Sequence, residues 1–278
     1  MKVLITGASS YVGAGIYSYL KGRFGVFGTY FSNKLFPELV KMDITDNSSV
    51  KKITKEIKPE VIVHVAANPS TRWCEEHKQE ATLLNENGVK NIVGNANSIG
   101  SKVIFISSFA AIKPTTFYGK TKLAGEKIVK ETNSGWAILR PSLIIGYSPN
   151  TTNDRPFNKI LKNIVEGTPA IYDVSWKFQP SWLDHISEVI EQIIAREIYG
   201  ATIPVMIPEL KTRFDLANDI LSKFGIKVEP VDKKDESPVY EQKVDKLLEL
   251  DLPTHTYEEM INKIASDIRE KVIKQPNK

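Results

Sequence analysis

Short runs of apolar, mostly β-branched residues alternate with longer amphipathic stretches along the 278 residues. That alternation predicts an α/β fold, a doubly wound parallel sheet with helices on both faces. Two further observations support it. The runs Val61-Ile62-Val63 and Val103-Ile104-Phe105-Ile106 are apolar at every position, as strands covered on both faces must be. The first run, Val3-Leu4-Ile5, ends at Thr6-Gly7 and a serine-rich turn that opens a helix. Such a turn presents backbone N–H groups to an anion.

Each element follows in order. Residues 3–5 form the first strand, and the turn from Gly7 to Gly13 leads into a helix through Ile16, Tyr19 and Leu20. Residues 26–30 form a second strand, whose end carries Thr, Tyr, Phe, Ser, Asn and Lys at 29–34 and no carboxylate. Residues 41–46 read as another strand ending in acid, with Asp46 capping a helix over 48–57. Residues 61–67 form the central strand, in which His64 reads as a core histidine and not a catalyst. A loop at 68–76 leads to a helix through Ala81, Leu84 and Asn85 to Ile92. The strand at 103–106 delivers Ser107 and Ser108, then a helix carrying Tyr118 and Lys122, then a strand at 136–142.

Beyond it, 147–154 is a loop of Ser, Pro, Asn and Thr. A helix follows at 158–165, then short strands or loops at 169–172 and 178–182. Asp184 is expected as N-cap of the next helix, with His185 structural in its first turn. A strand at 203–207, an amphipathic helix at 214–224 and segments at 240–250 and 257–273 complete the chain.

Composition excludes several classes. The net charge of +4 is spread along the chain and speaks to solubility, not to nucleic acid. Lys271, Lys274 and Lys278 are expected in a frayed end. No run approaches the ~18 apolar residues of a membrane span. Met1-Lys2 leads directly into a strand, leaving no room for a signal peptide, so a cytoplasmic protein without membrane partners is expected. The single cysteine, Cys74, has no disulfide partner and no metal-ligand spacing, and reads as a small apolar side chain. No metal is expected.

The chemistry concentrates between Ser107 and Lys122. Tyr118 and Lys122 lie four positions apart, on one face of a helix. A free phenol titrates near ~10, and an ammonium one turn away favours its anion. Ser107 and Ser108 at the preceding strand end offer hydroxyls to a carbonyl oxygen. These are the parts of a proton-transfer site for carbonyl and alcohol interconversion.

The set Thr6-Gly7…Gly13, Ser108 and Tyr118-Gly119-x-x-Lys122 resembles the extended short-chain dehydrogenase/reductase family. The wording from Tyr118 to Lys127 is similar to its dTDP-4-dehydrorhamnose reductase branch, which includes the methionine adenosyltransferase beta subunit. The resemblance implies a Rossmann core over 1–146, with 181–206 returning to it, and a small interleaved C-terminal substrate lobe over 147–180 and 207–278. It assigns catalysis to Ser108, Tyr118 and Lys122. A dinucleotide would meet Gly7, Ser9, Ser10, Tyr11, Val12 and Gly13 at its diphosphate. Asp43 and Ile44 would meet its adenine, and Ala66, Ala67 and Asn68 would flank it. Ser107, Pro141 and Ser142 would border the nicotinamide, and Asn85 would join a relay to the lysine. Ser32, Asn33 and Lys34, without a nearby acid, favour NADP over NAD. Arg72, Trp73, Trp176 and Gln179 are substrate candidates, although a surface salt bridge explains Arg72 as well.

The sequence departs from the branch in three places. Ser10 replaces the middle glycine of the turn, and its Cβ is expected to crowd a cofactor. Only residues 109–117 separate Ser108 from Tyr118, so one wall of the sugar site is missing or rebuilt. Glu236-Ser237-Pro238-Val239 stands where the branch has Arg-Pro. Three readings follow: an NADP-dependent reductase of a keto group on a nucleotide-linked sugar, a sugar-nucleotide epimerase, or a non-catalytic cofactor-binding regulatory subunit. A nucleotide sugar is the expected partner, and homodimers are common in the family.

Overall fold

The computed structural model describes residues 1–239 and 241–274. Its first half alternates strand and helix as expected. β1 (Lys2–Thr6), α1 (Tyr11–Leu20), β2 (Gly25–Tyr30), β3 (Val40–Lys41), α2 (Asn47–Ile57) and β4 (Val61–His64) come first. The short helices α3 (Thr71–Glu76) and α4 (Lys78–Thr82) run through a π-helical turn, Leu83–Asn87, into α5 (Gly88–Ile99). β5 (Lys102–Ile106), α6 (Phe117–Val129) and β6 (Trp136–Arg140) complete that half.

The second half interleaves. β7 (Ile144–Ile145), α7 (Pro156–Val165), β8 (Ile171–Asp173), β9 (Lys177–Phe178) and β10 (Ser181–Trp182) precede α8 (Leu183–Arg196) and β11 (Ala201–Pro204). β12 (Lys211–Thr212), α9 (Arg213–Leu221), β13 (Glu229–Val231), α10 (Asp245–Glu249) and α11 (Tyr257–Ile268) follow. Small two-stranded pairs β10–β7, β12–β9 and β13–β8 tie these segments together.

The main sheet has seven parallel strands in the order β11-β6-β5-β4-β1-β2-β3. Strand order reverses between β1 and β4, which opens a crevice at their carboxyl ends, where α/β sheets take ligands. Side chains alternate across the sheet with period two. Val3, Ile5, Val61, Val63, Ile104 and Leu139 enter one core with Ile16, Leu20 and the apolar face of α8. Leu4, Ile62, Val103, Phe105 and Ile138 enter the other with Val50, Ile53 and Ile92. Full burial of such a side chain is worth about 1.5–3 kcal/mol, so both faces fix the register.

Several expectations shift. The strand expected at 41–46 is only Val40–Lys41, because this sheet edge has nothing beyond it to pair with. Asp46 does cap α2, accepting from the Ser48 N–H at 2.8 Å. Asp184 does not cap α8: Trp182, paired in β10, is the N-cap, and Asp184 sits one turn inside with its pKa pushed up to about 6 by burial. Of the segment expected at 240–250, only Asp245–Glu249 is helical among the described residues, and Tyr240 lies outside them. Lys271 is held 3.1 Å from Asp267 rather than frayed, and Lys278 lies outside the described residues. Cys74 is fully buried. His64 is fully buried too, its pKa brought down to about 3 by burial and then by the Lys122 charge. The Thr6 hydroxyl lies 2.8 Å from His64 Nδ1 and accepts from the Val65 and Ala66 N–H groups, so the pair ties β1 to β4. No described helix is long and apolar enough to cross a membrane.

Candidate active site

The turn after β1 needs its glycines. Gly7 has φ +67°, a left-handed backbone. A Cβ on Gly13 would lie 2.1 Å from the Gly7 carbonyl oxygen. Ser10 has φ −73°, open to any residue, and its hydroxyl turns back to accept from the Gly13 N–H at 3.1 Å. The side chain expected to crowd a ligand therefore caps α1 instead. Tyr11 is buried and donates to the Gly146 carbonyl.

A groove of about 480 Å³ runs along this turn. Gly7, Ser9, Ser10, Ser32, Asn33, Asp43, Ile44, Ala66 and Ala67 line it, which brings most of the expected cofactor residues together. Asp43 is fixed by Thr45, whose N–H and hydroxyl donate to its carboxylate at 2.8 and 2.7 Å. Lys34 is not among the lining residues; its ammonium lies 5.8 Å from the Tyr30 ring centre. Trp73 lines this groove with Leu83 and Leu84, away from the substrate position expected for it.

An adjoining cleft of about 390 Å³ shares Ser10 and Ala67 with the groove. It collects Tyr11, Val12, Ser107, Ser108, Tyr118, Lys122, Pro141, Ser142 and Trp176. Two caps set Tyr118 in the first turn of α6: Thr116 accepts from the Gly119 N–H at 3.1 Å, and Glu75 from the Phe117 N–H at 2.6 Å. Lys122 is one turn on, 3% exposed, its ammonium donating to the Ile106 carbonyl at 2.7 Å. The Ser108 hydroxyl interacts with the phenol and favours its anion. Burial outweighs this and pushes the Tyr118 pKa up to about 12, while the same burial brings Lys122 down to about 7. The expected lowering of the phenol by the lysine is therefore not the net effect, because desolvation disfavours both charged forms.

Other expected contacts are redirected. Ser107 donates to Glu126 at 2.6 Å, and Glu126 also takes two bonds from Arg140 at 2.8 and 2.6 Å. Asn68 and Asn85 pair with each other: the Asn68 N–H donates to Asn85 Oδ1 at 2.9 Å, and Asn85 Nδ2 donates back at 3.1 Å and to Thr121 at 3.3 Å. Arg72 projects away and pairs with Glu76 at 2.8 Å. Gln179 is buried, donating to the Pro208 and Gln242 carbonyls and accepting from the Gln242 N–H, so it fastens loops and reaches no cavity. The wall expected to be missing is rebuilt from Phe109, Trp176 and Arg213, the guanidinium lying 4.8 Å from the Trp176 ring centre.

Sequence reasoning missed two arginines. Arg155 and Arg213 line both this cleft and a third cavity of about 400 Å³, which also carries Lys159, Lys233, Asp154 and Asp173. Arg213 pairs with Asp235 at 3.1 Å and Asp173 at 3.4 Å. One signal was readable: Thr212-x-x-Asp215 forms a capping box that places Arg213 in the first turn of α9. Among the described residues no group of three His, Cys, Asp or Glu is placed to hold a metal ion.

Comparisons with known proteins follow the same lines. The bovine (Bos taurus) methionine adenosyltransferase 2 subunit beta is 33% identical over 159 residues, which cover 52% of this chain and 47% of that protein. The chain thus spans about half the length of the curated relatives it matches first. A dTDP-4-dehydrorhamnose reductase structure from Clostridium acetobutylicum superposes with a TM-score of 0.81 at 25% identity, covering 97% of this chain and 100% of that one. The UDP-glucose 4-epimerase of Thermotoga maritima shares the fold, with a TM-score of 0.83 at 17% identity and coverage of 98% and 100%. Residues 1–248 match the RmlD substrate binding domain, and the chain belongs to that family, within the extended short-chain dehydrogenases/reductases.

Proposed function

We propose that the chain is an NADP-dependent reductase of a keto group on a nucleotide-linked sugar. The observation that carries this reading is the meeting of Ser108, Tyr118 and Lys122 in one cleft, between a dinucleotide-shaped groove and a basic cavity. The groove fits such a cofactor: Gly7, Ala66 and Ala67 form a small-residue floor, and Gly13 keeps the turn tight. Bound NADPH supplies a hydride to the carbonyl carbon. With its pKa up at about 12, Tyr118 is protonated at neutral pH and has a proton to give to the oxygen. Ser108 holds the same oxygen by a hydrogen bond that strengthens as charge develops there. Lys122, beneath the tyrosine, offers its ammonium to the cofactor ribose and favours the phenolate that remains.

Ser32 and Asn33, with no carboxylate at the end of β2, favour the extra phosphate of NADP. Arg155, Lys159, Arg213 and Lys233 in the basic cavity suit the diphosphate of a nucleotide sugar. In this reading residues 1–146 and 181–206 serve the cofactor, and 147–180 with 207–278 serve the substrate. The test is NADPH with a panel of nucleotide-linked keto sugars, followed by loss of reduced-cofactor absorbance. Stoichiometric cofactor carried through purification, with no net NADPH consumption, would instead mean an epimerase. The identity to an adenosyltransferase subunit supports a second reading, a cofactor-binding regulatory subunit. That reading requires NADPH binding, no turnover with any sugar and a partner recovered by pull-down.

A further inference from the structure

The phosphate turn is short of donors. A helix start leaves four N–H groups open. Here the Ser10 N–H already donates to the Gly7 carbonyl at 2.9 Å, and the Gly13 N–H to the Ser10 hydroxyl at 3.1 Å. Tyr11 and Val12 supply what remains. The groove offers no cation to compensate: its described lining includes no Lys or Arg, but does include Asp43 and Glu80. A diphosphate in this groove therefore needs neutral donors from elsewhere.

The segment after β7 brings them. The Ser148 hydroxyl donates to the Tyr11 carbonyl at 2.6 Å, and Asn150 Nδ2 to the Ser9 carbonyl at 2.6 Å. Asn158 Nδ2 in α7 grips the segment from the other side, donating to the Asn150 and Asn153 carbonyls at 3.1 and 2.8 Å. So fastened, the strap lays Asn150 and Asn153 along the groove beside Gly7, Ser9 and Ser10, and ends at Arg155 in the neighbouring cleft. The Asn150 carboxamide is already engaged, by Ser9 and by Thr152. Asn153 is not: its Oδ1 is buried without a hydrogen-bond partner, a costly state for a polar atom that a ligand would relieve.

We infer that residues 148–155 form a second wall of the dinucleotide site, and that the Asn153 carboxamide holds the ligand's diphosphate. The inference rests on the cofactor part of the proposed function. The strap would also let an occupied groove set Arg155 in the catalytic cleft.

Binding of ADP-ribose, ADP and adenosine to the full chain, followed by calorimetry, tests this without turnover. Asn153→Ala should weaken ADP-ribose and ADP by roughly tenfold to a hundredfold, the loss expected for a hydrogen bond to a charged group. Adenosine, which has no phosphate, should bind Asn153→Ala as it binds the natural chain. Thr151→Ala, an exposed change in the same strap, should alter none of the three. Folding is not at risk, because the Asn158 bond goes to the Asn153 backbone. Unchanged ADP-ribose affinity in Asn153→Ala, or an equal loss for adenosine, overturns the strap's role and leaves the proposed function standing. A natural chain that binds none of the three overturns both.

Discussion

Replacing Lys122 by methionine should make this protein more stable and inert in one step. Lys122 is 3% exposed, and its ammonium has the Ile106 carbonyl at 2.7 Å and the Phe105 ring centre at 4.4 Å. Glu126 favours the cation, but burial prevails and brings the pKa from 10.5 to about 7. At about 1.36 kcal/mol per pKa step, that fall corresponds to a handicap on the order of 5 kcal/mol. The sign follows from proton counting. Between about pH 7 and 10.5 the unfolded chain binds a proton here that the folded chain releases, so stability rises with pH across that window. The full handicap is felt below about pH 7. Methionine removes it but leaves the Ile106 carbonyl without a donor, at a cost of about 1–3 kcal/mol. The net gain at pH ~6 is about 2–4 kcal/mol, a rise in Tm of roughly 4–16 °C for a chain of this size. Thermal unfolding at about pH 6 and pH 9.5 measures it, and the gap to the natural chain should close at the higher pH. An equal gap at both pH values, or a variant less stable at pH ~6, would refute the account of a buried ammonium.

Three further changes probe separate parts of the structure. Tyr118→Phe should lower kcat by about 10² to 10⁴ with Tm unchanged; normal turnover would remove the phenol from the chemistry. Glu126→Gln leaves Arg140 without its carboxylate and should cost about 3 kcal/mol in denaturant unfolding, whereas an apolar pair at both positions should recover much of it. His255 lies 2.6 Å from Glu188, near Glu259, Asp184 and His185, and Glu188 raises its pKa above the ordinary value. The stability it adds is fully present below pH ~6.5 and lost as pH rises through the raised pKa, so His255→Gln should destabilise more at pH ~5.5 than at pH ~8.5. A pH-independent difference between the melting curves would contradict that linkage.

The parts of the site that are close in sequence were legible, and those assembled by folding were not. Ser108, Tyr118 and Lys122 lie on one strand end and the next helix, so local spacing was enough to group them. Arg155 and Arg213 reach the same cleft from α7 and α9, elements whose relative placement depends on small strand pairs that carry little pattern of their own. Gln179 misled because a glutamine between aromatic strands has two uses. Here its amide satisfies backbone groups of two loops, a demand invisible until those loops are placed. The buried strands were legible throughout because two cores demand apolar residues at every position of β4 and β5, whereas β3, at the edge, had only a weak signal. The π-helical turn at Leu83–Asn87, which aims Asn85 at Asn68, left no trace in the spacing at all.

The raised phenol carries a consequence for direction. In reduction Tyr118 must hold a proton, and with a pKa of about 12 it does so across the whole neutral range. In oxidation the same oxygen must accept the alcohol's proton, which only the phenolate can do, and at neutral pH that form is scarce. Burial sets this asymmetry, since the nearby Lys122 is itself driven toward neutrality and lends the phenolate only part of a charge. The rate of alcohol oxidation should therefore climb close to tenfold per pH step from about pH 7 to 9, while ketone reduction stays level or declines. Measuring kcat/KM in both directions against pH decides it. Parallel profiles would mean that another group, and not the Tyr118 phenol, exchanges the proton.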